Sequence, residues 1–436
     1  MYTLNCIRNG GIKMDKKLYD NYINILKEEL VPALGCTEPI AIAFAGAKVR
    51  EVLGGMPESV VVKCSGNIIK NVKGVTVPNS NGLKGIDVAA VLGIVGGDAS
   101  KNLEVLSDIK QEDIDDTKRL LKTDFCKCEL IENVENLYII IEAKNRESNA
   151  VVEIKNGHTN ITKIIKDGKE IFKSDDDSDS DSNTDRESLT VKDIYTFANE
   201  VKIEDIKEMI SRQIEMNTAI SKEGINNEYG ASIGKTLLKY YGENDIRTKA
   251  KAYASAGSDA RMGGCAMPVV TNSGSGNQGI TASIPVIEYA SHLKVSEEKL
   301  YRALVLSNLI AILQKKHIGK LSAFCGVVCA ATGAASGIAY LHDAAYKQIS
   351  DTIINTLCTI GGMVCDGAKA SCASKIAEAV DCGILAFNMA KDGKVFKSGD
   401  GLVKDDVEAT IDSIGRMAKD GMKATDVEIL NIMIEK

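Results

Sequence analysis

The sequence contains no tryptophan, and only 5% of its residues are aromatic. A core without large rings must be filled by helices that pack closely through small side chains, which agrees with the 38 glycines. Basic residues do not outnumber acidic ones, since the chain has 53 of the former and 60 of the latter. This balance argues against a nucleic-acid partner. At 436 residues, of which 44% are hydrophobic, the chain is long enough for two or more folded units.

Long hydrophobic runs are missing as well. Residues 1–17 contain no apolar core followed by a small-residue cleavage site, so a secretory signal is not indicated. Residues 321–341 carry no charge, but more than half of them are Ala, Gly, Ser or Thr, which is too weakly apolar for lipid. We therefore expect a cytoplasmic protein with no membrane partner, in which the 12 cysteines stay reduced.

Common catalytic signatures are also absent. The chain has only four histidines, no His-Glu-x-x-His and no recognisable Ser/His/Asp arrangement, which disfavours zinc hydrolases. The glycine-rich segment 271–279, TNSGSGNQG, lacks the Gly-Lys-Ser/Thr of a phosphate-binding loop, and no strand is predicted before it, as a dinucleotide-binding loop requires. Its backbone N–H groups at a predicted helix start suit a small carboxylate, and a flexible turn is an equally good interpretation.

Hydrophobic periodicity divides the chain into helical and strand-rich parts. A helix is predicted over residues 15–30 and another over 40–53, with Thr37 as its N-cap, so that Cys36 lies at a helix N-terminus. Strands are predicted at residues 60–63, 72–77, 137–143, 150–154 and 161–165. Further helices are predicted at residues 88–95, 113–121, 300–313, 322–341, 353–364 and 373–390.

These patterns predict an α+β fold with a mainly helical catalytic domain and an inserted domain. Residues 14–56 and 190–436 form the helical domain, and residues 57–172 form the inserted α+β domain, which contains the sheet. Residues 173–189 are predicted to be a disordered acidic linker, because the segment 174–188 is rich in Asp and Ser and has no apolar residue.

Most of the cysteines have no sequence setting that distinguishes them, and we expect them to pack as small hydrophobic residues. Four differ. Cys36 and Cys325 lie at the starts of predicted helices, and Cys365 and Cys372 lie in a glycine-containing segment between two predicted helices. Thiolates suit zinc or iron-sulfur clusters, although burial in an alanine-rich core explains such cysteines equally simply.

Four motifs, in this order and spacing, resemble the oxygen-sensitive L-cysteine desulfidases, relatives of the α part of iron-sulfur L-serine dehydratases. They are residues 35–41 (GCTEPIA), residues 271–279, Cys325-Gly326, and residues 365–372. The resemblance implies a 4Fe-4S cluster held by Cys325, Cys365 and Cys372, with one iron left open as a Lewis acid. It further implies conversion of L-cysteine, a small-molecule amino-acid substrate, to pyruvate, ammonia and hydrogen sulfide without pyridoxal phosphate.

The resemblance also suggests roles for residues outside the cluster. It favours Cys36 as the base that removes the Cα proton, while a role as a cluster ligand of the resting enzyme or as a packing residue stays open. The substrate carboxylate is assigned to Ser273, Gly274, Ser275, Gly276 and Asn277. An L-serine dehydratase and a non-enzymatic iron-sulfur sensor remain alternatives, and the oligomeric state, including a homo-oligomer, is left open.

Overall fold

A computed structural model describes residues 14–174, 184–319 and 322–435. The helices in these ranges are α1 (Lys16–Glu29), α2 (Thr37–Leu53), α3 (Gly66–Val72), α4 (Ile86–Gly96), α5 (Gln111–Leu120), α6 (Val191–Glu200), α7 (Ile203–Asn226), α8 (Ile233–Tyr241), α9 (Ile246–Met262), α10 (Gly276–Leu293), α11 (Glu297–Ile318), α12 (Gly326–Leu341), α13 (Tyr346–Ile360), α14 (Cys372–Lys391), α15 (Val407–Arg416) and α16 (Lys423–Ile434). The strands are β1 (Pro32–Leu34), β2 (Ser59–Ser65), β3 (Cys126–Ile131), β4 (Tyr138–Lys144), β5 (Asn149–Lys155), β6 (Ile161–Lys166), β7 (Lys169–Lys173) and β8 (Pro268–Val270). The predicted α+β class is confirmed.

Six of the strands form one mixed sheet in the order β3-β2-β4-β5-β6-β7. Strands β2 and β3 run parallel, and the other neighbours are antiparallel. The remaining two strands, β1 and β8, form a short antiparallel ribbon in which Pro32 pairs with Val270. This ribbon joins the chain just before Cys36 to the chain just before the glycine-rich segment, although the two are more than 200 residues apart in sequence.

The described residues contain two large hydrophobic clusters. One is made by the helices of the C-terminal half together with α1. The other joins the inner face of the sheet to α2 and α4, and it includes Ile40 and Phe44 of α2. Helix α2 is apolar on almost every side, because it lies between the sheet and α4. The predicted domain boundaries at residues 57 and 172 stay a prediction.

Most predicted elements occur in the structure, but some boundaries are wrong. The strand predicted at 72–77 is absent, because α3 continues to Val72 and the chain then turns back so that Thr76 forms a bridge with Lys84. The edge strands β3 and β7 were missed, since their side chains are largely polar and exposed. Contrary to the prediction, β8 precedes the glycine-rich segment, although it is only three residues long and belongs to a two-stranded ribbon.

Part of the predicted acidic linker contacts α1. The Thr184 hydroxyl donates to the Glu28 carboxylate at 2.7 Å, and Arg186 forms an ion pair with the buried Glu29. Residues 175–183 lie outside the described residues, so their predicted disorder stays a prediction. Within the ranges that are described, no helix combines the length and the hydropathy that crossing a membrane requires, and this includes α12.

Candidate active site

Four helix N-termini converge on one small cavity between the two hydrophobic clusters. Cys36 is the N-cap of α2, Ser275 is the N-cap of α10, Cys325 is the N-cap of α12, and Cys372 is the first residue of α14. All four residues line the cavity. The first N–H groups of a helix have no partner within the helix, and they carry the positive end of its dipole. The four helix ends therefore contribute positive potential to the cavity, which burial opposes at the individual thiols.

Two of the cysteines are brought together by a backbone bridge. The predicted helix over 322–341 starts only at Gly326, because the preceding residues are extended and pair with the chain after α13. The Cys325 N–H donates to the Met363 carbonyl at 2.9 Å, and the Cys365 N–H donates to the Ala323 carbonyl at 2.7 Å. The hydrogen bond between the two thiols raises the pKa of Cys325 and lowers that of Cys365 to about 6.

The third cysteine of the implied ligand set, Cys372, reaches the cavity through a tight loop. Its sulfur accepts a hydrogen bond from the Lys369 backbone N–H at 3.4 Å, and its thiol lies 3.7 Å from the Gly367 carbonyl. Gly367 has a φ of +91°, and a Cβ atom there would lie 2.5 Å from the Lys70 carbonyl oxygen. Only glycine fits this conformation without strain. The lack of a side chain at Gly367 therefore allows the segment 365–372 to pack closely against α3.

We expect Gly367→Ala to destabilise the protein by about 1–3 kcal/mol, because the methyl group meets backbone atoms that cannot move independently. The matched control is Gly362→Ala, which lies with Gly367 in the loop between α13 and α14. Its φ is +123°, but no atom lies within 4 Å of the added Cβ. Both variants carry backbone strain, so the difference between them measures the contact with α3. Equal melting temperatures in thermal denaturation would contradict this interpretation.

Cys36 and Glu38 form a buried hydrogen-bonded pair at the start of α2. The Cys36 thiol donates to Glu38 Oε2 at 3.0 Å, and the other carboxylate oxygen accepts from Asn71 at 3.2 Å. Burial and the adjacent Glu38 charge raise the pKa of Cys36 well above its usual value. Burial alone would raise the pKa of Glu38, but the His158 charge and the Cys36 hydrogen bond lower it. Burial and Glu38 therefore outweigh the N-terminus of α2, which by itself would favour a thiolate at Cys36.

The N-cap of α2 is Cys36 rather than Thr37, because the Thr37 hydroxyl donates to the Gly274 carbonyl at 3.0 Å. This bond fixes α2 to the glycine-rich segment. Ser273 and Gly274 have φ values of 51° and 72°, and Asn272 and Ser275 exchange backbone hydrogen bonds across them. Positive φ at both central residues is the pattern of a type I′ turn. The turn delivers the chain into the first turn of α10.

Among the residues assigned to the substrate carboxylate, all but one line the cavity. These are Ser273, Gly274, Ser275 and Asn277. Gly276 does not line it, because its Cα faces the Arg261 guanidinium, and a Cβ there would lie 2.3 Å from Arg261 Nε. Gly276 therefore makes room for Arg261.

The cavity also contains side chains to which sequence reasoning gave no role. Glu38 stands within the motif of residues 35–41, but the motif by itself predicts no role for it. His158 comes from the turn between β5 and β6, Arg261 from the last turn of α9, and Lys315 from α11. A histidine in a hairpin turn and a cation near a helix C-terminus are ordinary surface patterns. No local signal could have identified them.

The geometry of the thiols bears on which metal group the site could hold. In the part of the chain that the structure describes, no three His, Cys, Asp or Glu side chains converge closely enough to hold a single metal ion. A 4Fe-4S cluster makes a different demand, since each thiolate binds its own iron and the sulfurs surround the cluster. Cys325, Cys365 and Cys372 on the walls of one cavity supply three such thiols, and Cys36 is a fourth in the same lining. The hydrogen bond between Cys325 and Cys365 must open before each sulfur can bind its own iron.

The cavity is small. Its free volume is about 90 Å³, several times less than the roughly 300–1,000 Å³ of a pocket for a drug-sized ligand. Its lining is rich in charged and polar groups, which include Glu38, His158, Arg261 and Lys315. These properties suit a small, polar ligand.

Comparison with known proteins gives one family match. The family model described as serine dehydratase alpha chain matches residues 100–431. This range contains Cys325, Cys365 and Cys372 and the glycine-rich segment, while Cys36 and Glu38 lie outside it.

Curated relatives match nearly the whole chain. A protein named UPF0597 protein from Lachnoclostridium phytofermentans is 54% identical over 96% of this chain and 100% of its own length. A protein of the same name from Desulfitobacterium hafniense is 52% identical over 96% of this chain and 98% of its own. Another from Finegoldia magna is 51% identical over 95% of this chain and 100% of its own. These names state no substrate.

Proposed function

The chain belongs to the serine dehydratase alpha chain family, and from this membership we propose that it is an iron-sulfur-dependent lyase that converts L-cysteine to pyruvate, ammonia and hydrogen sulfide. The reaction consumes one water molecule and transfers no net electrons, so it needs no oxidant or reductant. The observation that carries the proposal is the convergence of Cys325, Cys365 and Cys372 on one cavity, with Cys325 and Cys372 at helix N-termini.

The donor set supports a 4Fe-4S cluster held by these three cysteines. Thiolates are the preferred ligands of iron-sulfur clusters, and the converging helix N-termini favour the anionic cluster that three thiolates would hold. When bound, such a cluster would supply an open iron as a Lewis acid for the substrate sulfur.

The chain's own residues would then remove the Cα proton. We assign this step to Cys36, which lies on the same cavity. Its thiol must first give up its own proton, and the Glu38 carboxylate 3.0 Å away is the acceptor in hydrogen-bond contact; the transfer is uphill, because the pKa of Cys36 is raised and that of Glu38 is lowered. Because burial raises the pKa of Cys36, the thiolate is a strong base once it has formed. Glu38 is a positioning residue here, since it acts through Cys36.

The preference for L-cysteine over L-serine is the finer part of the proposal. Soft sulfur is the better match for iron, and the motifs of the chain resemble the desulfidases. The family name favours L-serine instead, so an L-serine dehydratase is the second candidate. Discrimination between a thiol and a hydroxyl of similar size by pocket shape amounts to about 1–3 kcal/mol, so slow turnover of the disfavoured amino acid is expected in either case.

The test is pyruvate release from each amino acid at equal concentration. One anaerobic preparation with a measured iron and sulfide content should serve both assays, so that cluster loading cannot bias the comparison. We expect L-cysteine to react about 10- to 200-fold faster than L-serine. Faster release from L-serine would replace the desulfidase assignment with the dehydratase and leave the lyase class intact.

A further inference from the structure

The Arg261 side chain is buried without a counter-ion. It is 3% exposed and lies on the cavity wall. Among the described residues, its Nε has no hydrogen-bond partner, and no carboxylate forms an ion pair with its guanidinium. Arginine is seldom this deeply buried unless it is paired, because removing its charge from water is costly. The described residues therefore leave this charge without the anion that its burial calls for.

The nearest acidic groups do not supply that partner. Glu38 and Cys36 lie within electrostatic reach of Arg261. Both oxygens of the Glu38 carboxylate are already engaged, one by Cys36 and the other by Asn71. Arg261 lies instead over the Cα of Gly276, at the N-terminus of α10.

Two amide side chains in the first turn of α10, directly after Gly276, lack hydrogen-bond donors. Asn277 and Gln278 are each 6% exposed and line the cavity. The oxygens Asn277 Oδ1 and Gln278 Oε1 are buried without a hydrogen-bond donor in the described part of the chain. A buried acceptor without a donor is costly, just as a buried cation without an anion is. One wall of the cavity thus lacks an anion and, beside it, a donor.

We propose that this wall is the recognition site for the α-amino and α-carboxylate groups of a free amino acid. The substrate carboxylate pairs with the Arg261 guanidinium and the free N–H groups at the start of α10, and its ammonium group donates to Asn277 Oδ1 and Gln278 Oε1. The inference rests on the proposed function only in the reaction that follows binding, and the binding itself is tested separately. It adds Arg261 as the charged partner of the carboxylate and the two amide oxygens as neutral partners of the ammonium group.

The test uses two thiols that each carry half of the zwitterion. The first is 3-mercaptopropionate, which has the carboxylate and no ammonium group, and the second is 2-aminoethanethiol, which has the ammonium group and no carboxylate. Binding to the anaerobic cluster-loaded protein is followed by titration calorimetry. Arg261→Gln should weaken 3-mercaptopropionate about 10- to 100-fold and leave 2-aminoethanethiol unchanged. Arg261→Lys, which keeps the charge and loses the planar fork, should fall between.

Gln278→Met is the matched variant of the other half. It keeps the length of the side chain and removes the acceptor, so it should weaken 2-aminoethanethiol about 3- to 10-fold and spare 3-mercaptopropionate. Equal weakening of both thiols by Arg261→Gln would mean a structural role for the arginine and would overturn the proposal. Unchanged binding of 3-mercaptopropionate would overturn it as well. If Arg261→Gln does not load the cluster, Arg261→Lys decides instead. Weaker binding of 3-mercaptopropionate with unchanged binding of 2-aminoethanethiol supports the proposal, and equal weakening of both thiols overturns it.

The binding ratios are independent of turnover. If the wild-type protein released no sulfide from L-cysteine but showed the expected ratios, the proposed function would fail and the amino-acid site would stand. If sulfide were released but the ratios did not change between variants, the proposed function would stand and the amino-acid site at Arg261 would fail.

Discussion

Replacing any one of Cys325, Cys365 or Cys372 by alanine will remove the cluster almost completely rather than by a third. A cubane cluster is held as one unit, so the loss of one of three thiolates exposes a second iron and releases the whole group. The structure adds a reason for cooperativity, since Cys325 and Cys365 share a hydrogen bond and a backbone bridge. The measurement is iron and acid-labile sulfide per protein, together with visible absorbance, after anaerobic reconstitution.

Cys382→Ala is the matched control for this series. Cys382 lies ten residues after Cys372 on the same helix, α14, and it does not line the cavity. Its replacement should leave the iron content unchanged. Full iron and sulfide in any one of the three cavity variants would remove that cysteine from the proposed ligand set.

The second large effect is expected at Cys36 and Glu38. Cys36→Ser should keep the cluster but reduce sulfide release by about 10²- to 10⁴-fold, because a hydroxyl is far harder to ionise than a thiol. Glu38→Gln should give a loss of similar size, since an amide can take part in hydrogen bonds but cannot accept the thiol proton. The measurements are kcat for L-cysteine and the cluster absorbance of each variant.

Cys64→Ser controls for placing a hydroxyl where a buried thiol was. Cys64 is 1% exposed and lies on β2, outside the cavity lining. It should lower stability without lowering turnover per cluster. Loss of the cluster in Cys36→Ser would contradict the assignment as a base and would make Cys36 a fourth ligand, as the sensor alternative requires.

The sequence predicted the cysteines of the site but not the charged side chains that line the same cavity. Residues 325, 365 and 372 were identifiable because each stands next to glycine or at a predicted helix end, and such settings are local. Arg261 and His158 reach the cavity from α9 and from the β5–β6 turn, and only the tertiary fold places them there. The role of Glu38 was equally hidden, because a hydrogen bond between residues two apart leaves no periodic signal.

The errors in the fold have similar causes. The run at 72–77 is rich in β-branched residues, which favours a strand, but Val72 is buried at the end of α3 and packs in the cluster beneath the sheet. Tertiary packing outweighed local propensity there. The glycine-rich segment is a turn before a helix, as the sequence predicted. Gly276, however, faces Arg261, and only the arrangement of α9 and α10 reveals this.

The central claim is that sulfide release from L-cysteine depends on a cluster in this cavity. The most direct measurement reconstitutes the protein anaerobically with graded amounts of iron and sulfide and records the rate of sulfide and pyruvate formation at each loading. The account predicts that both products form in equal amounts, at a rate proportional to cluster content, and that activity disappears with the cluster absorbance when air is admitted. A rate independent of cluster content, or fully loaded protein that forms neither product, would contradict it.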